Sequence, residues 1–224
     1  MTRPFERDAA AGRRGRSSAW TRRDAASGAA ERRSGIVTAL LRLARLVDGE
    51  LRAAVSAIGL TPAQAETLRF AARTRPDMAT PGQLARILGV RPPTAVGIVA
   101  PLIERGLILR LPHPDDGRRT ILRLSPDGER LYEHLAALTS ELDATLAALP
   151  PASLDRIEGG LAELVAALVR SGRLAVAAPC AGCVHFRPNV APGSERPHRC
   201  ALIRRDLSPA EAAMECPEHT AAAS

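Results

Sequence analysis

The sequence predicts a mainly helical fold with one short β-hairpin, and three observations support this fold class. Apolar residues make up 46% of the 224 residues but aromatic residues only 2%, so the core must consist largely of aliphatic side chains. Several segments repeat their apolar residues three or four positions apart, which is the spacing of an amphipathic helix. Two short segments, LILRL at residues 107–111 and RTILRL at residues 119–124, have instead the composition of β-strands.

The first three helices are predicted from apolar spacing and from their capping residues. The helical pattern runs over residues 36–58, and Gly59 ends it. The motif TPAQ at residues 61–64 combines an N-cap, a proline suited to the first helical position and a capping-box glutamine, which predicts a helix over residues 62–73. The related motif TPGQ at residues 80–83 predicts a short third helix after it.

The fourth helix and the hairpin complete a recognisable unit. Residues 91–106, RPPTAVGIVAPLIERG, predict a helix with an apolar stripe, and Pro101 inside it should produce a kink. The short turn between the third and fourth helices gives the proportions of a helix-turn-helix. The turn PHPDDG at residues 112–117 joins the two strands, and Arg118 and Arg119 lie at its tip. The sequence therefore predicts a winged helix-turn-helix.

Two further amphipathic helices are predicted after the hairpin: one starts at Ser125-Pro126 and carries an apolar stripe that reaches Leu149, and the other follows Pro150-Pro151 with a stripe from Leu154 to Leu168. With the helix at residues 36–58, they lie outside the small winged unit, and their apolar stripes need a partner surface. We therefore predict a helical dimerisation region and a homodimer; the alternative is that these stripes form an intramolecular core.

Residues 1–35 hold nine arginines against four acidic residues, whereas the whole chain has a net charge of +7. We predict that they form a disordered, Arg-rich tail that either attracts phosphate or serves only as a solvated linker. The predicted domains are thus 1–35, 36–170 and 171–224.

The chain lacks the long apolar run of a membrane helix and the apolar core of a secretory signal, so we expect a cytoplasmic protein with no membrane partner.

The segment at residues 84–131 carries two family motifs, L-x-x-x-G-L-x-x-R at residues 102–110 and an Asp-x-Arg wing at residues 116–118. With these motifs, residues 36–170 resemble the MarR family of bacterial transcription regulators. The resemblance implies a homodimer whose first and last two helices intertwine and whose winged domains each bind half of a palindromic operator in double-stranded DNA. It also implies a small, often aromatic, effector that releases the DNA.

Six residues are candidates for DNA contact. The hairpin tip favours Arg118 and Arg119, because the negative potential of a narrow minor groove attracts a guanidinium group. The resemblance implies that Arg118 enters the groove and that Asp116 pairs with it and holds the wing. The remaining candidates for phosphate or base contact are Arg91, Thr94 and Arg110. Because the fourth helix offers few other base-reading side chains, we expect DNA shape and phosphate contacts to dominate.

All four cysteines of the chain lie in its last quarter, in the pattern Cys-x2-Cys-x16-Cys-x15-Cys: Cys180, Cys183, Cys200 and Cys216. Four thiolates can hold a tetrahedral Zn²⁺ ion or an iron–sulfur cluster, and either would stabilise a segment too small and proline-rich to fold by burial alone. The motif SPAE at residues 208–211 predicts a short helix before Cys216. The pattern leaves zinc slightly ahead of iron–sulfur.

Three other interpretations stay open for the function. The cysteines could form a metal-free thiol/disulfide switch through Cys180 and Cys183, or the tail could be a protein-interaction module attached to the DNA-binding domain. An enzyme is the least supported class, because the sequence has no glycine-rich phosphate loop, no helix-borne histidine pair and no recognisable catalytic triad. We therefore expect a non-enzymatic regulator of transcription.

Overall fold

The computed structural model describes residues 17–113, 116–136 and 140–222, and side chains from residue 28 onward except residues 136, 140 and 141. It confirms a mainly helical fold with a small antiparallel wing. The helices are α1 (Ser17–Ser56), α2 (Pro62–Arg73), α3 (Pro81–Leu88), α4 (Pro92–Glu104), α5 (Pro126–Ala136), α6 (Ser140–Ala147), α7 (Pro151–Arg170) and α8 (Pro209–Ala213). The strands are β1 (Ile108–His113), β2 (Asp116–Leu124), β3 (Phe186–Arg187), β4 (His198–Cys200) and β5 (Arg205–Leu207), and a 3₁₀ turn covers Pro76–Met78.

The helix α1 corrects one domain boundary. It begins at Ser17, so residues 17–35 are helical and the prediction of a disordered tail is wrong for them; residues 1–16 lie outside the described part of the chain. Alanine and arginine account for nine of these 19 residues and have high helix propensity, so an existing helix extends through the segment at little cost. The chain divides into two compact units at Glu50, and the second begins at Leu51.

The helices α2 and α3 start with related sequence motifs, but only α2 forms both hydrogen bonds of a capping box. At α2 the predicted capping box forms, because Thr61 accepts from the Gln64 N–H at 3.2 Å and the Gln64 side chain accepts from the Thr61 N–H at 2.9 Å. At α3, Thr80 also accepts from the Gln83 N–H, at 3.3 Å. The Gln83 amide, however, donates to Glu218 of the C-terminal segment. The second signature therefore caps α3 with only one of its two hydrogen bonds.

The core of the second unit lies between α2, α3, α4 and the β1–β2 hairpin. Its buried side chains come from the three- and four-residue spacing of the helices and from the inward positions of the strands: Val55, Leu60, Leu68, Phe70, Leu84, Val99, Leu102, Ile108 and Leu122. Each fully buried aliphatic or aromatic side chain stabilises the fold by about 1.5–3 kcal/mol. The winged unit, by which we mean α2 to β2, thus has a hydrophobic core of its own.

The hairpin β1–β2 is antiparallel, and it departs from regular pairing near its tip. Pro112 pairs with Thr120, but the next residue, His113, pairs with Asp116. Residues 117–119 of β2 therefore have no pairing partner in β1 and form a bulge. The bulge carries both wing arginines on an exposed stretch of the strand.

The helix predicted directly after the hairpin corresponds to two helical segments, α5 and α6. Residues 137–139 between them lie outside the described part of the chain. The helix α7 begins at Pro151, after the proline pair that the sequence placed before it, and none of its residues is buried. Several apolar side chains on α1 and α7 are exposed: Ile36, Val37, Leu41, Leu46, Ile157, Leu161, Leu164 and Val165.

Among the described helices, none is by itself long and apolar enough to cross a membrane; α3 and α4 reach that length and composition only together, across a bend of 109°.

The C-terminal segment folds as a small module of a three-stranded sheet, in the order β3-β4-β5, followed by α8. The sequence had predicted α8 but not the strands. Ser208 and Glu211 form the expected capping box at α8. Leu207 is fully buried in one cluster with Cys180 and Cys200, and Phe186 packs against this cluster. We refer to residues 171–222 as the cysteine module.

Candidate DNA-binding surface and four-cysteine pocket

Five of the six predicted DNA contacts are exposed basic or hydroxyl side chains on the winged unit. Arg91 is the N-cap residue of α4, and Thr94 follows in the first turn of that helix. Arg110 lies on β1, and Arg118 and Arg119 lie on the bulge of β2. Within the described residues, neither bulge arginine has a protein partner for its guanidinium group. These side chains are available for phosphate or groove contacts.

The sixth residue, Asp116, contacts the main chain of Arg118 in this structure. Its Oδ1 accepts a hydrogen bond from the backbone N–H of Arg118 at 3.1 Å, whereas the two side chains form no ion pair in the described structure. The expected pairing with the guanidinium is therefore not present. A carboxylate that accepts a bond from the main chain two residues later closes a local turn. Asp116 thus shapes the bulge and does not pair with the Arg118 side chain.

The four cysteines of the module line one pocket, although 36 residues separate the first from the last. Cys180 and Cys183 occupy the first and last positions of a turn closed by the Cys183 N–H, which donates to the Cys180 carbonyl at 3.0 Å. Gly182 supplies the left-handed φ of +75° that the third position of this turn requires. Cys200 ends β4, and the backbone of Cys216 pairs with that of Ala178. The fold therefore brings all four predicted ligands together.

Three of the four cysteines of this pocket are shielded from water, and Cys183 is partly exposed. Cys180, Cys200 and Cys216 are buried, and no disulfide joins any of the four cysteines, all of which the structure describes. Burial raises the pKa of the Cys216 thiol to about 11, and it also raises the pKa of Cys180, against the opposing effect of Arg75. A metal that binds here must therefore displace protons. Across the described residues, no group of three or more His, Cys, Asp or Glu side chains is arranged so that it could hold a metal ion as it stands.

A buried charge network joins this pocket to the winged unit. Arg75, with 1% of its side chain exposed, donates from Nε to Asp77 at 2.7 Å and from Nη1 to the Cys180 sulfur at 3.7 Å. Asp77, 2% exposed, also pairs with Arg205 of β5 at 3.2 Å. One buried carboxylate is thus shared by an arginine of the winged unit and an arginine of the cysteine module.

The wing is anchored to the same turn. The ring Nε2 of the buried His113, at the end of β1, lies 2.9 Å from the backbone carbonyl of Asp77. The backbone N–H of Leu122 in β2 donates to the carbonyl of Ala79 at 2.7 Å. The turn at residues 75–79 therefore contacts both strands of the wing and, through Arg75, the cysteine pocket.

Two glutamates fix the end of the cysteine module on α2 and α3. Glu215 accepts from Arg73 at 2.6 Å and from Arg69 at 3.3 Å, and a parallel bridge pairs its backbone with Thr74. Glu218 pairs with Arg86 of α3 at 3.3 Å. These contacts position the module against the first helix of the predicted helix-turn-helix.

A second pocket, with a volume of about 290 Å³, lies between α2, β2, α5 and the cysteine module. Its wall combines charged and polar groups, Arg123, Glu129, Tyr132 and Glu133, with Met214 of the module. This volume is near the lower end of the range for small-molecule pockets.

Sequence reasoning identified the cysteines and the basic surface but not the residues that connect them. Arg75, Asp77 and His113 lie in loops or at a strand end, where no periodic pattern marks a buried side chain. The spacing of Arg75 and Asp77 around a proline was compatible with a local ion pair, but nothing in it indicated a contact with Cys180.

The fold and its exposed basic wing define a winged helix-turn-helix protein. Residues 58–119 match the sequence model of the MarR family, MarR_2, and the winged unit of this chain is a MarR-family domain.

Relatives of known sequence or structure agree with this classification. The chain is 36% identical over 91 residues to the HTH-type transcriptional regulator Mb0904 of Mycobacterium bovis; the match covers 40% of this chain and 63% of that protein. It is 26% identical to the crystal structure of the transcriptional regulator PA3341, with a TM-score of 0.54, over 60% of this chain and 98% of that one. CouR from Rhodococcus jostii RHA1, solved bound to p-coumaroyl-CoA, shares the fold at 24% identity and a TM-score of 0.50, over 56% and 87% of the two chains.

Proposed function

We propose that this chain is a transcriptional regulator that binds a palindromic operator as a homodimer and whose operator affinity depends on a metal centre in the four-cysteine pocket. The observation that carries the proposal is the pair of exposed arginines, Arg118 and Arg119, which have no guanidinium partner among the described residues and lie on a wing whose strand β1 contacts the turn next to that pocket. The helix-turn-helix beside this wing and the DNA-binding class of the relatives support the same function. Such a regulator acts on the chromosome in the cytoplasm and catalyses no reaction.

The exposed apolar faces support the homodimer. Leu161 on α7 is 46% exposed, and α1 carries a comparable set of exposed aliphatic side chains. A second copy of the chain would remove this surface from water, and the two-fold symmetry of such a dimer would match two operator half-sites.

A small effector is a further part of the proposal. The 290 Å³ pocket between α2, β2 and α5 borders both the wing and the helices that follow it, so a bound ligand would bias the position of the wing. A ligand of this pocket should raise the melting temperature of the protein.

The DNA-binding function is tested by selection from a library of random-sequence duplexes with the purified full-length chain. We expect enrichment of a two-fold symmetric sequence, and fluorescence anisotropy should show weaker binding to the selected duplex by Arg118→Ala and Arg119→Ala. The matched control is Arg130→Ala, which removes an exposed arginine of α5 outside the proposed surface. No enrichment, or equal binding of selected and scrambled duplexes, would overturn the proposed function.

The same anisotropy measurement, repeated after metal removal and after oxidation, separates the alternatives for the cysteine module. A thiol switch predicts that operator affinity changes on oxidation and is unaffected by metal removal. An interaction module predicts that operator affinity is independent of both treatments.

A further inference from the structure

We infer that His113 is a positioning residue of the DNA-binding surface: its bond to the turn at residues 75–79 sets the direction of the wing and so presents Arg118 to a DNA groove. This role rests on the proposed function, in which Arg118 contacts DNA, and it assigns the direction of the wing to a single side chain. Three features support it: the buried bond of His113, the contacts of Asp77 on two sides, and the register of the hairpin.

The side chain of His113 is buried and makes a directed contact. Only 8% of this residue is exposed, and its ring Nε2 lies 2.9 Å from the backbone carbonyl oxygen of Asp77. A carbonyl oxygen only accepts hydrogen bonds, so Nε2 carries the proton of this bond whether the ring is neutral or charged. A buried donor or acceptor that loses its partner costs free energy. The bond therefore holds the end of β1 against the turn.

The turn that His113 contacts is itself held in place. The carboxylate of Asp77 accepts from Nε of Arg75 at 2.7 Å and pairs with Arg205 of the cysteine module at 3.2 Å. The N–H of Met78 donates to the carbonyl of Arg75 at 2.9 Å and closes the turn. Asp77 thus binds the wing through its backbone carbonyl and the cysteine module through its side chain. A rearrangement of the module that displaced Asp77 would displace the end of β1 with it.

The register of the hairpin places His113 close to the wing arginines along the backbone. His113 pairs with Asp116, the first residue of β2, and Arg118 follows two positions later on the bulge. Asp116 accepts a hydrogen bond from the N–H of Arg118 at 3.1 Å. A short series of contacts therefore leads from Asp77 through His113 and Asp116 to the main chain of Arg118.

A second contact, farther from the tip, leaves the direction of the wing to His113. The N–H of Leu122 donates to the carbonyl of Ala79 at 2.7 Å, and Leu122 pairs with Arg110, three residues before His113. A hairpin held only at Leu122 could pivot about that point. The bond of His113 adds a second attachment nearer the tip and removes this freedom. Its loss should redirect the tip and leave the pairing within the hairpin intact.

The role is tested with His113→Leu and His113→Gln in the full-length chain. Leucine cannot donate a hydrogen bond, whereas the amide of glutamine can donate to the carbonyl of Asp77. Fluorescence anisotropy on the selected duplex should show binding weakened about tenfold by His113→Leu and largely restored in His113→Gln. Binding to a scrambled duplex, which depends on phosphate attraction, should change by less than about twofold. The matched control is His134→Leu, at an exposed histidine of α5.

A double-mutant cycle separates positioning from a general loss of stability. If His113 acts by presenting Arg118, then Arg118→Ala should weaken binding to the selected duplex much less in the His113→Leu protein than in the wild type. Additive effects of the two substitutions would overturn the inference, as would wild-type affinity of His113→Leu. Circular dichroism checks the fold of each variant. If His113→Leu does not fold, His113→Asn replaces it, because its amide is too short to reach the position of Nε2.

Hydrogen exchange tests the anchor without DNA, so failure of the inference and failure of the proposed function give different results. Amides of residues 120–122 in β2 should exchange faster in His113→Leu than in the wild type. A protein that selects no operator contradicts the proposed function, and the exchange result then decides whether His113 holds the wing. A protein that selects an operator but shows unchanged exchange and affinity in His113→Leu contradicts the role of His113 alone.

Discussion

The guanidinium group of Arg75 lies 3.7 Å from the sulfur of Cys180, although 105 residues separate the two along the chain. Both residues are buried, and Arg75 belongs to the turn that also contacts the wing. A change at the cysteine pocket therefore has a direct structural route to a surface proposed to bind DNA. The carboxylate of Asp77 connects the two parts, because it pairs with both Arg75 and Arg205.

Asp77→Asn should lower the free energy of unfolding by about 3 kcal/mol, because it leaves the buried charge of Arg75 without its carboxylate. Urea unfolding followed by circular dichroism measures this loss. The control is Asp127→Asn, which removes an exposed carboxylate from a surface ion pair and should cost less than about 1 kcal/mol. Equal stability of the two variants would contradict a role for Asp77 at the centre of the network.

Glu215→Gln should loosen the cysteine module from α2, since Arg69 and Arg73 lose the charge of their common partner. Hydrogen exchange should then increase at the backbone bonds that join residues 73–75 to Glu215. Glu195→Gln, in an exposed loop of the same module, serves as the control. Unchanged exchange at these amides would show that the ion pairs do not hold the module in place.

Gly128→Ala should destabilise the protein by about 1–3 kcal/mol, because a Cβ atom at this position of α5 would lie 2.0 Å from the backbone oxygen of Leu107. Gly97→Ala, on the exposed face of α4, meets no atom within 4 Å and should stabilise its helix by up to about 1 kcal/mol. Thermal unfolding should give a lower melting temperature for Gly128→Ala and a higher one for Gly97→Ala. A stabilised Gly128→Ala would contradict the close packing of α5 against the backbone of Leu107.

Leu161→Glu should shift the protein from dimer to monomer and weaken operator binding, since a charge on the exposed face of α7 opposes burial against a second copy. Sedimentation velocity measures the oligomeric state. Glu163→Lys changes a charge on a different side of the same helix and should leave the dimer intact. A Leu161→Glu variant that remains dimeric would place the interface elsewhere.

The sequence predicted the winged unit well because its signals are local. The capping box of Thr61 and Gln64, the proline starts of the helices and the strand composition around residue 112 each act within a few residues. The same holds for the capping box at Ser208, which correctly placed α8. The start of α1 was wrong because helix propensity, which extends α1 to Ser17, outweighed the Arg-rich composition.

The candidate site was predicted only in part, for a related reason. The spacing of the cysteines marked them as a set, and the structure brings all four to one pocket. The contacts of Arg75 with Cys180 and of Gln83 with Glu218 join segments more than 100 residues apart, and no local pattern encodes such pairs. The bulge at residues 117–119 depends on strand register, which composition alone does not determine.

Operator affinity with and without the metal centre tests the central claim most directly. Fluorescence anisotropy on the duplex selected from the random library would compare the metal-loaded protein with the same protein after anaerobic chelation, at one fixed salt concentration. Because the pocket and the wing share the turn at residues 75–79, we expect the two dissociation constants to differ by about tenfold or more. Equal dissociation constants for two forms that are both folded and dimeric would contradict the account.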